Sequence, residues 1–314
     1  MQKLTVALLC VGGLVLAGCG GEDKPAGPAR PRVALVMKSL ANEFFKTMED
    51  GARAHQQAHA GQYELICNGI KDEQDVQKQM DIVEQMIAQK VGAIVIAPVD
   101  SNALVPVCKK AMDAGIVVVN IDNKLDDAVL AEKKVKIPFV GPDNRKGARL
   151  AGEYLAKKLQ AGDEVALVEG EPNAENGLQR KLGFEDAMKA GGMKIVSSQS
   201  GYWETENATK IVGGMITQHP KLKAILCAND SMALGAVSAL KSAGRLDSVL
   251  VVGFDNISAV QQLMKEGRVL CTVDQHADQI AVNGILYALD ILAGKAAPAD
   301  METPVDLITP EPLK

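Results

Sequence analysis

The chain has 314 residues, a formal net charge of −5, 47% hydrophobic residues and only 3% aromatic ones. The acidic balance, without any basic cluster, argues against nucleic acid as a partner. The length exceeds that of a typical single domain, so two lobes are predicted, with cores of aliphatic side chains and methionine.

The first 18 residues are predicted to be a signal peptide. Lys3 provides a positive charge, and residues 4–17 form an apolar stretch that is too short to span a membrane core of ~30 Å. The ending Leu16-Ala17-Gly18-Cys19 resembles a bacterial lipobox, which implies cleavage before Cys19 and a lipid on that cysteine. The alternatives are an ordinary secretory leader cut near Ala17 and a short membrane anchor. We expect a lipid-anchored protein of the cell envelope, in the periplasm of a Gram-negative cell or on the outer face of a Gram-positive membrane.

Residues 19–31 are predicted to comprise the lipidated cysteine and a flexible tether. Gly, Pro and charged residues leave this segment almost nothing apolar to bury, so it cannot order itself. Beyond it, no apolar run approaches the length of a membrane span. The lipid alone would therefore hold the protein to a membrane.

Four of the six cysteines follow the tether, and all four are predicted to be free thiols. Their spacing matches neither a zinc site nor a small disulfide scaffold. Export would allow disulfides, but cysteines within strands are more often small buried hydrophobic residues. Cys67, Cys227 and Cys271 lie on predicted strands, and Cys108 lies on a predicted helix.

From Arg32 onward, short apolar runs alternate with stretches that have apolar residues at helical spacing. Continuous rather than alternating apolar runs indicate parallel sheets that are covered by helices on both faces. The predicted fold class is therefore α/β, with ten strands in two similar doubly wound parallel-sheet lobes. The predicted strands are Arg32–Met37, Tyr63–Cys67, Gly92–Ile96, Val117–Ile121, Pro138–Gly141, Glu164–Val168, Lys194–Ser198, Ala224–Cys227, Val249–Gly253 and Leu270–Val273.

An internal repeat supports two similar lobes. The segment Asp100-Ser101-Asn102-Ala103-Leu104 recurs as Asp230-Ser231-Met232-Ala233-Leu234. Each copy follows a predicted strand and opens a predicted helix, with its aspartate placed to cap that helix. Each helix ends near Ala-Gly, and an apolar strand then runs into an aspartate, which is Asp122 in the first half and Asp255 in the second.

Polar and aromatic side chains gather at the predicted carboxyl ends of the strands, where doubly wound sheets bind their ligands. The chain has ten aromatic residues, and four of them, including the one tryptophan, belong to this set. Aromatic faces with carboxylates and amides suit a sugar, because its C–H faces stack on rings and its hydroxyls pair with planar side chains. The set comprises Asn42, Phe44, Phe45, Asp122, Asn123, Trp203, Asn229, Asp230, Phe254, Asp255, Asn256 and Gln275.

Most of these residues also have a purely structural interpretation. The two phenylalanines could seat a helix in the core, and Asp122 and Asp255 could cap helices. Asn229 could serve the geometry of a turn, and Arg180 could lie on the solvated face of a helix. Trp203 is hardest to explain in this way, because it follows a strand in a polar context.

At these positions the sequence resembles the periplasmic ribose-binding proteins, sugar receptors that share their fold with the lactose-repressor family. The resemblance extends from Arg32 to the end and is most specific in the segments 42–45, 228–236 and 251–255. It implies a receptor rather than an enzyme, with a ligand cleft between two lobes. The sugar contacts it implies are Asn42, Phe44, Phe45, Asp122, Arg180, Trp203, Asn229, Phe254, Asp255 and Gln275.

Two positions depart from the ribose-binding pattern. Asn123, which we also include among the candidate ligand contacts, replaces an arginine, and Ala97 replaces an asparagine. The hydrogen bonds lost are each worth ~0.5–1.5 kcal/mol net, and more where one partner is charged. A ligand with another hydroxyl pattern, or a bulkier one, fits this change. The expected ligand is a monosaccharide or small polyol of open identity.

The resemblance also implies how the chain divides and works. The first lobe would comprise residues 32–142 and 276–304, and the second would comprise residues 143–275 and 305–314. The ligand would bind between them and favour the closed state, because each lobe holds half of the polar groups. The closed monomer would then dock on the permease of an ABC importer.

Three other functions are weighed against this one. A sensory receptor for a sugar or sugar-like signal, without transport, is the main alternative. A glycosidase based on Asp122 and Asp255 is a remote one, because two acids on opposite mobile lobes suit binding better than catalysis. A DNA-binding repressor is excluded, because a leader and tether occupy the place of a helix-turn-helix.

No cofactor and no metal site are predicted. His55 and His59 lie four residues apart on a predicted helix and could share one metal ion. No further ligand stands at a suitable spacing to complete such a site.

Overall fold

A computed structural model describes residues 30–310 of the protein. The predicted signal peptide, the predicted lipidation site Cys19 and most of the predicted tether lie outside the described residues. The strands are β1 (Arg32–Ser39), β2 (Glu64–Ile70), β3 (Ala93–Ile96), β4 (Val117–Ile121), β5 (Phe139–Pro142), β6 (Glu164–Glu169), β7 (Lys194–Ser200), β8 (Leu222–Cys227), β9 (Leu250–Val252), β10 (Thr272–Asp274), β11 (Met301–Thr303) and β12 (Asp306–Ile308). The helices are α1 (Glu43–Ala58), α2 (Val76–Ala88), α3 (Val105–Asp113), α4 (Asp127–Glu132), α5 (Asn144–Ala156), α6 (Glu175–Ala190), α7 (Thr205–Gln218), α8 (Asp230–Ser242), α9 (Ser258–Lys265) and α10 (Ala277–Leu292).

Two parallel sheets organise the chain. The first has the order β11-β5-β4-β3-β1-β2, and the second has the order β7-β6-β8-β9. All neighbours within each sheet run parallel. We call the first sheet with its helices the first lobe and the second sheet with its helices the second lobe. The prediction of two doubly wound parallel-sheet lobes is confirmed.

The chain passes between the two sheets after β5, near β10 and between β11 and β12. Strands β10 and β12 pair antiparallel, and a bridge between Val252 and Cys271 joins this pair to the edge of the second sheet. His276, directly after β10, has φ 55° and ψ 62°, a left-handed turn that begins α10. The predicted division of the chain near residues 142, 275 and 304 stays a prediction.

Strands β11 and β12 were not among the ten strands predicted from apolar runs. Each is three residues long, with two exposed residues in β11 and one in β12, so neither has the apolar run by which the other strands are recognised. Strand β11 joins the first sheet by pairing with β5, and β12 pairs with β10.

Short polar side chains begin many of the helices, as capping chemistry requires. Asn42 accepts a hydrogen bond from the Phe44 backbone N–H at the start of α1. Asp75, Asp126 and Asp143 do the same for α2, α4 and α5. Because these caps lie just after strands, they set the helix starts at the carboxyl-end edges of the sheets.

The structure corrects the capping role predicted for the repeated aspartates. Asp100 accepts from the backbone N–H groups of Asn102 and Ala103 at 2.7 Å, in a turn that precedes α3 rather than at its first residue.

In the second copy of the repeat, the residue that caps the helix is Asn229, which accepts from the Met232 backbone N–H. Asp230 instead accepts from the Ile257 backbone N–H at 3.0 Å and the Thr272 hydroxyl at 2.8 Å. The repeat is thus similar in sequence but not in capping geometry.

The four cysteines of the described segment are free, which confirms the prediction. Cys227 ends β8, and β9 lies between it and the segment that holds Cys271. Burial raises the pKa of the Cys108 thiol to about 12 and that of Cys67 to about 11. These thiols therefore act as small apolar groups.

Between Arg30 and Pro310, none of the helices combines the length and the apolar character needed to cross a membrane.

Candidate functional site

A small cavity lies in the cleft between the lobes, at the carboxyl ends of their strands. Its volume is about 20 Å³, far below the roughly 300–1,000 Å³ typical of sites for drug-sized ligands. Its lining residues are Lys38, Asn42, Phe44, Phe45, Glu73, Asp122, Asn176, Arg180, Trp203, Asn229, Asp255 and Gln275. Both lobes contribute to this lining, so the cavity exists only while they are closed on each other.

Nine of the eleven predicted ligand residues line this cavity. The two that do not are Phe254 and Asn123. Phe254 is fully buried and lies beneath Arg180, whose guanidinium carbon is 3.9 Å from the centre of its ring. Asn123 is also fully buried, and its side chain bonds to other protein groups rather than to the cavity.

A buried ion pair occupies the first-lobe wall of the cavity. Lys38, near the end of β1, places its Nζ 3.3 Å from Asp122 Oδ2, and both side chains are nearly inaccessible to solvent. The same ammonium group lies 5.6 Å from the ring centres of Phe45 and Trp203. Aromatic faces attract a cation at such distances, so the lysine is held by both charge and rings.

A second buried ion pair occupies the second-lobe wall. Arg180 Nη1 lies 3.3 Å from Asp255 Oδ1 and donates to the Ala228 carbonyl at 2.9 Å, while its Nε donates to Asn144 Oδ1 at 2.8 Å. Gln275 donates to the same Asp255 oxygen at 2.6 Å. Burial lowers the pKa of Arg180 and raises that of Asp255, and their mutual attraction opposes both shifts. The cavity thus holds two cations and two paired carboxylates.

Three of the lining residues adopt backbone angles that are uncommon for residues other than glycine. Asp122 has φ 61°, Trp203 has φ 66° and Asp255 has φ 123°. Each follows a strand directly or within a short turn, where this geometry aims the side chain into the cleft. Such conformations cost of order 1–3 kcal/mol each and cluster at functional sites.

The aromatic side chains of the cavity pack closely against one another or against glycines. Phe44 and Phe45 meet edge to face, with ring centres 5.1 Å apart and planes at 84°. The Trp203 ring lies against Gly170 and Gly177, and a methyl group at Gly170 would overlap it. Glycine is needed at Gly170 because the ring occupies the space of a side chain.

Several polar atoms of the cavity lack a hydrogen-bond partner among the described residues. They are Asp122 Oδ2, Asn176 Oδ1, Trp203 Nε1 and Gln275 Oε1. Unsatisfied buried polar groups are rare in native structures because each costs about 1–3 kcal/mol. Three acceptors and one donor on residues that line one small cavity are typical of a site for a polyhydroxylated ligand.

Asn229 has two structural roles besides lining the cavity. Its Oδ1 accepts from Met232 at 2.9 Å as the cap of α8, and its Nδ2 donates to the Trp203 carbonyl at 3.2 Å. The Asn229 amide therefore holds the backbone at Trp203 in place. Asn229 thus stabilises local chain geometry and also lines the cavity.

Three lining residues were missed by the sequence reasoning: Lys38, Glu73 and Asn176. Lys38 carried a usable signal, because a lysine inside the buried run of β1 is out of place unless it is paired. Glu73 follows the end of β2 by three residues, but the second strand was predicted to end earlier, at Cys67. Asn176 lies in the first turn of α6, a position that strand ends do not indicate.

Glu73 is buried beside the cavity and accepts a hydrogen bond from Asn42 Nδ2 at 3.3 Å. Burial raises its pKa to about 7, against the opposing attraction of Lys38. The folded protein therefore holds a proton on Glu73 that the unfolded chain has already lost, and stability falls as pH rises from about 4.5 to about 7.

Replacing Glu73 by glutamine is expected to remove this loss of stability. Relative to the wild type, the variant should gain about 3 kcal/mol of unfolding free energy between pH 4.5 and pH 8. Urea unfolding at a series of pH values measures the difference, in which contributions of other buried acids cancel. The control is Glu132→Gln, a change at an exposed acid of α4. The pH dependence of its free energy of unfolding should match that of the wild type. A Glu73→Gln profile parallel to the wild type would contradict the prediction.

Among the residues described, no three His, Cys, Asp or Glu side chains are grouped so that they could hold a metal ion. The rings of His55 and His59 stack 4.1 Å apart, and His55 Nδ1 lies 2.9 Å from the Tyr63 hydroxyl. These histidines therefore have partners within the protein.

Two lobes with parallel sheets and a polar cleft define the architecture of a periplasmic solute receptor. In agreement with this, residues 33–296 match the model of the periplasmic binding protein domain. The chain belongs to this family, whose members are binding proteins rather than enzymes, and membership implies a location in the periplasm or cell envelope.

Individual relatives are sugar receptors. The chain is 60% identical to the D-ribose/D-allose-binding protein of Pseudomonas aeruginosa over 286 residues, which is 90% of each chain. A solved ABC transporter solute-binding protein from Burkholderia multivorans, whose unknown ligand is represented as α-D-erythrofuranose, is similar with a TM-score of 0.88 and 58% identity, over 90% of this chain and all of that one. A periplasmic solute-binding protein from Actinobacillus succinogenes with bound D-allose has a TM-score of 0.83 and 34% identity, covering 89% of this chain and 98% of its own.

Proposed function

We propose that the protein is the sugar-binding component of an ABC importer and that it binds D-allose or D-ribose in the cleft between its lobes. The observation that carries this proposal is the set of unpartnered polar atoms in the closed cavity. A bound sugar would supply hydroxyl donors for the three acceptors and an oxygen acceptor for the indole N–H.

The charges of the cavity support a neutral ligand. Lys38 faces Asp122, and Arg180 faces Asp255, each pair at 3.3 Å. An anionic or cationic ligand would add a further buried charge without a counter-charge, which is costly. A neutral hydroxyl group can instead donate to a carboxylate and accept from an ammonium or guanidinium group, so it fits both pairs.

The small size of the cavity and the aromatic walls favour a single ring. The lining residues approach one another too closely to leave room for a long oligosaccharide, and the C–H faces of one pyranose or furanose can stack on Phe44, Phe45 or Trp203. The relative at 60% identity is named for D-ribose and D-allose, and both sugars meet these requirements.

Binding would act through closure of the two lobes. The polar groups come from both lobes, so the ligand makes its full set of hydrogen bonds only in the closed state and shifts the population towards it. The closed form would then be recognised by the permease of the transporter. We also propose that Cys19 carries the lipid that tethers the protein to the envelope membrane, a role supported by the lipobox-like ending of the leader.

The test is titration of the soluble chain from Gly20 to Lys314 with monosaccharides and polyols. Trp203 is the only tryptophan and lines the cavity, so a change in its fluorescence reports binding there, and calorimetry supplies an independent affinity. We expect saturation by D-allose or D-ribose with a dissociation constant near the micromolar range, about −8 kcal/mol. D-Glucose, which inverts one hydroxyl of D-allose, should bind at least about tenfold more weakly because one hydrogen bond is lost. Calorimetric silence towards every sugar and polyol, with the protein folded, would overturn the proposal.

A further inference from the structure

Helices α6 and α9 of the second lobe begin without a side-chain cap of their own. The residues before their first turns are Ala174 and Ile257, and neither side chain can accept a hydrogen bond. The first backbone N–H groups of a helix have no partner within the helix and need an acceptor from elsewhere. In both helices the acceptor comes from the other lobe.

The first lobe supplies the acceptors for α6. The Ser101 hydroxyl accepts from the Glu175 backbone N–H at 2.9 Å, and Asn123 Oδ1 accepts from the Asn176 backbone N–H at 3.1 Å. The Ser101 backbone N–H in turn donates to the Asn173 carbonyl at 2.9 Å. Three hydrogen bonds thus cross the cleft within a stretch of four residues of the second lobe.

These acceptors are held in place by the first lobe itself. Asn123 Nδ2 donates to the Pro98 carbonyl at 2.9 Å, and Asn120 Nδ2 donates to the Asn123 carbonyl at 2.7 Å. The Ser101 hydroxyl donates to Asn123 Oδ1 at 3.3 Å. Because these bonds lie within one lobe, the two acceptors can keep their orientation when the cleft opens.

Helix α9 repeats the arrangement with another residue of the first lobe. Glu43 Oε1, in the first turn of α1, accepts from the Ser258 backbone N–H at 2.7 Å. Helix starts favour a negative charge, so a carboxylate is well suited to this position. Closure therefore completes the caps of two helices at once.

We propose that Ser101 and Asn123 are positioning residues that hold the closed state by capping α6 across the cleft. Helix α6 carries Asn176 and, one turn later, Arg180, and both line the sugar cavity. Seating the start of this helix on the first lobe therefore places both side chains for binding. None of the crossing bonds uses a ligand atom, so they favour closure with or without sugar. The inference rests on the proposed function, in which the ligand binds by lobe closure.

Replacing Ser101 by alanine is expected to raise the dissociation constant of the sugar about 5-fold, which is about 1 kcal/mol at 1.4 kcal/mol per tenfold. The variant leaves the Glu175 N–H without its acceptor in the closed state only. Because the cap forms after encounter, the dissociation rate should rise while the association rate stays nearly unchanged. Stopped-flow fluorescence of Trp203 measures both rates, and calorimetry gives the affinity.

Two further variants separate capping from a general structural effect. Asn102→Ala changes the exposed neighbour of Ser101 and should leave both rates as in the wild type. Ser101→Thr retains the hydroxyl and should restore slow dissociation. An affinity of Ser101→Ala within twofold of the wild type, or a loss confined to the association rate, overturns the proposal.

Amide hydrogen exchange keeps this test distinct from the test of function. The Glu175 and Asn176 amides are measured by NMR in the wild type and in Ser101→Ala, without sugar and with saturating sugar. Faster exchange of these amides in the variant supports the capping, and equal exchange in both states overturns it. If the wild type binds no sugar at all, the proposed function fails, whereas faster exchange in the ligand-free variant still supports the caps across the cleft.

Discussion

Replacing Arg180 by leucine is expected to weaken sugar binding at least about 100-fold, which is about 3 kcal/mol. The guanidinium group is buried, stacks on Phe254 and faces the cavity beside Asp255. Hydrogen bonds from a charged donor contribute about 1.5–3 kcal/mol each, and leucine offers none. Removing the arginine also leaves Asp255 as an unpaired buried charge, so the free energy of unfolding should fall by about 3–5 kcal/mol. Calorimetric titration and urea unfolding measure the two effects.

The matched control is Lys181→Leu, which removes the adjacent cation. Lys181 forms a partly exposed ion pair with Glu169 at 3.0 Å, and such pairs contribute about 0–1 kcal/mol. It should change neither affinity nor stability by more than that. In the double variant Arg180→Leu/Asp255→Asn, the neutral amide needs no counter-charge, so most of the stability should return while binding stays lost. Recovery of binding in the double variant, or wild-type affinity in Arg180→Leu, would contradict the assignment.

Most strands, and the alternation of strands and helices along the chain, could be predicted because they depend on local patterns. Buried parallel strands such as β1 and β8 are continuous apolar runs, and these are visible without any knowledge of tertiary contacts. Strand β11 has no such run, since it consists of three residues at a sheet edge. It is a strand only because β5 offers it a partner.

Site residues at strand ends could be predicted for a similar reason. Asp122, Trp203 and Asp255 all follow strands, and the topology of a doubly wound sheet brings such ends together. The resemblance to ribose-binding proteins added Arg180, which lies on a helix and which its own surroundings in the sequence did not distinguish from a solvated residue.

Other roles depended on contacts between distant segments. Asn123 stands beside Asp122 in the sequence, yet its side chain is turned towards Pro98 and the start of α6. Asp230 was expected to cap α8, but Thr272 and the Ile257 backbone N–H draw its carboxylate inward, and Asn229 takes the cap. Adjacent residues with similar side chains thus form hydrogen bonds with different partners, and no local sequence pattern predicts which partner each residue takes.

Replacing Asp122 by asparagine is expected to weaken sugar binding about 10- to 100-fold, since a hydrogen bond to a charged group contributes about 1.5–3 kcal/mol. Asp122 Oδ2 has no hydrogen-bond partner among the described residues and lies 3.3 Å from Lys38 Nζ. A carboxylate there can accept a sugar hydroxyl while it compensates the lysine. Asparagine has nearly the same shape and tolerates the left-handed backbone, φ 61° at this position. The loss should therefore reflect the charge and the acceptor rather than a distorted chain.

The control for this variant is Asp126→Asn in the same loop. Asp126 caps α4 through the Val129 backbone N–H at 2.8 Å, and asparagine caps as well as aspartate does, so affinity and stability should stay close to those of the wild type. Asp122→Asn should also lower the free energy of unfolding, because it leaves the Lys38 ammonium buried without a counter-charge. Lys38→Met in the Asp122→Asn background removes that charge and should restore stability but not affinity. Titration of the four proteins with D-allose and D-ribose decides the matter: binding by Asp122→Asn within twofold of the wild type would exclude Asp122 from the ligand contacts.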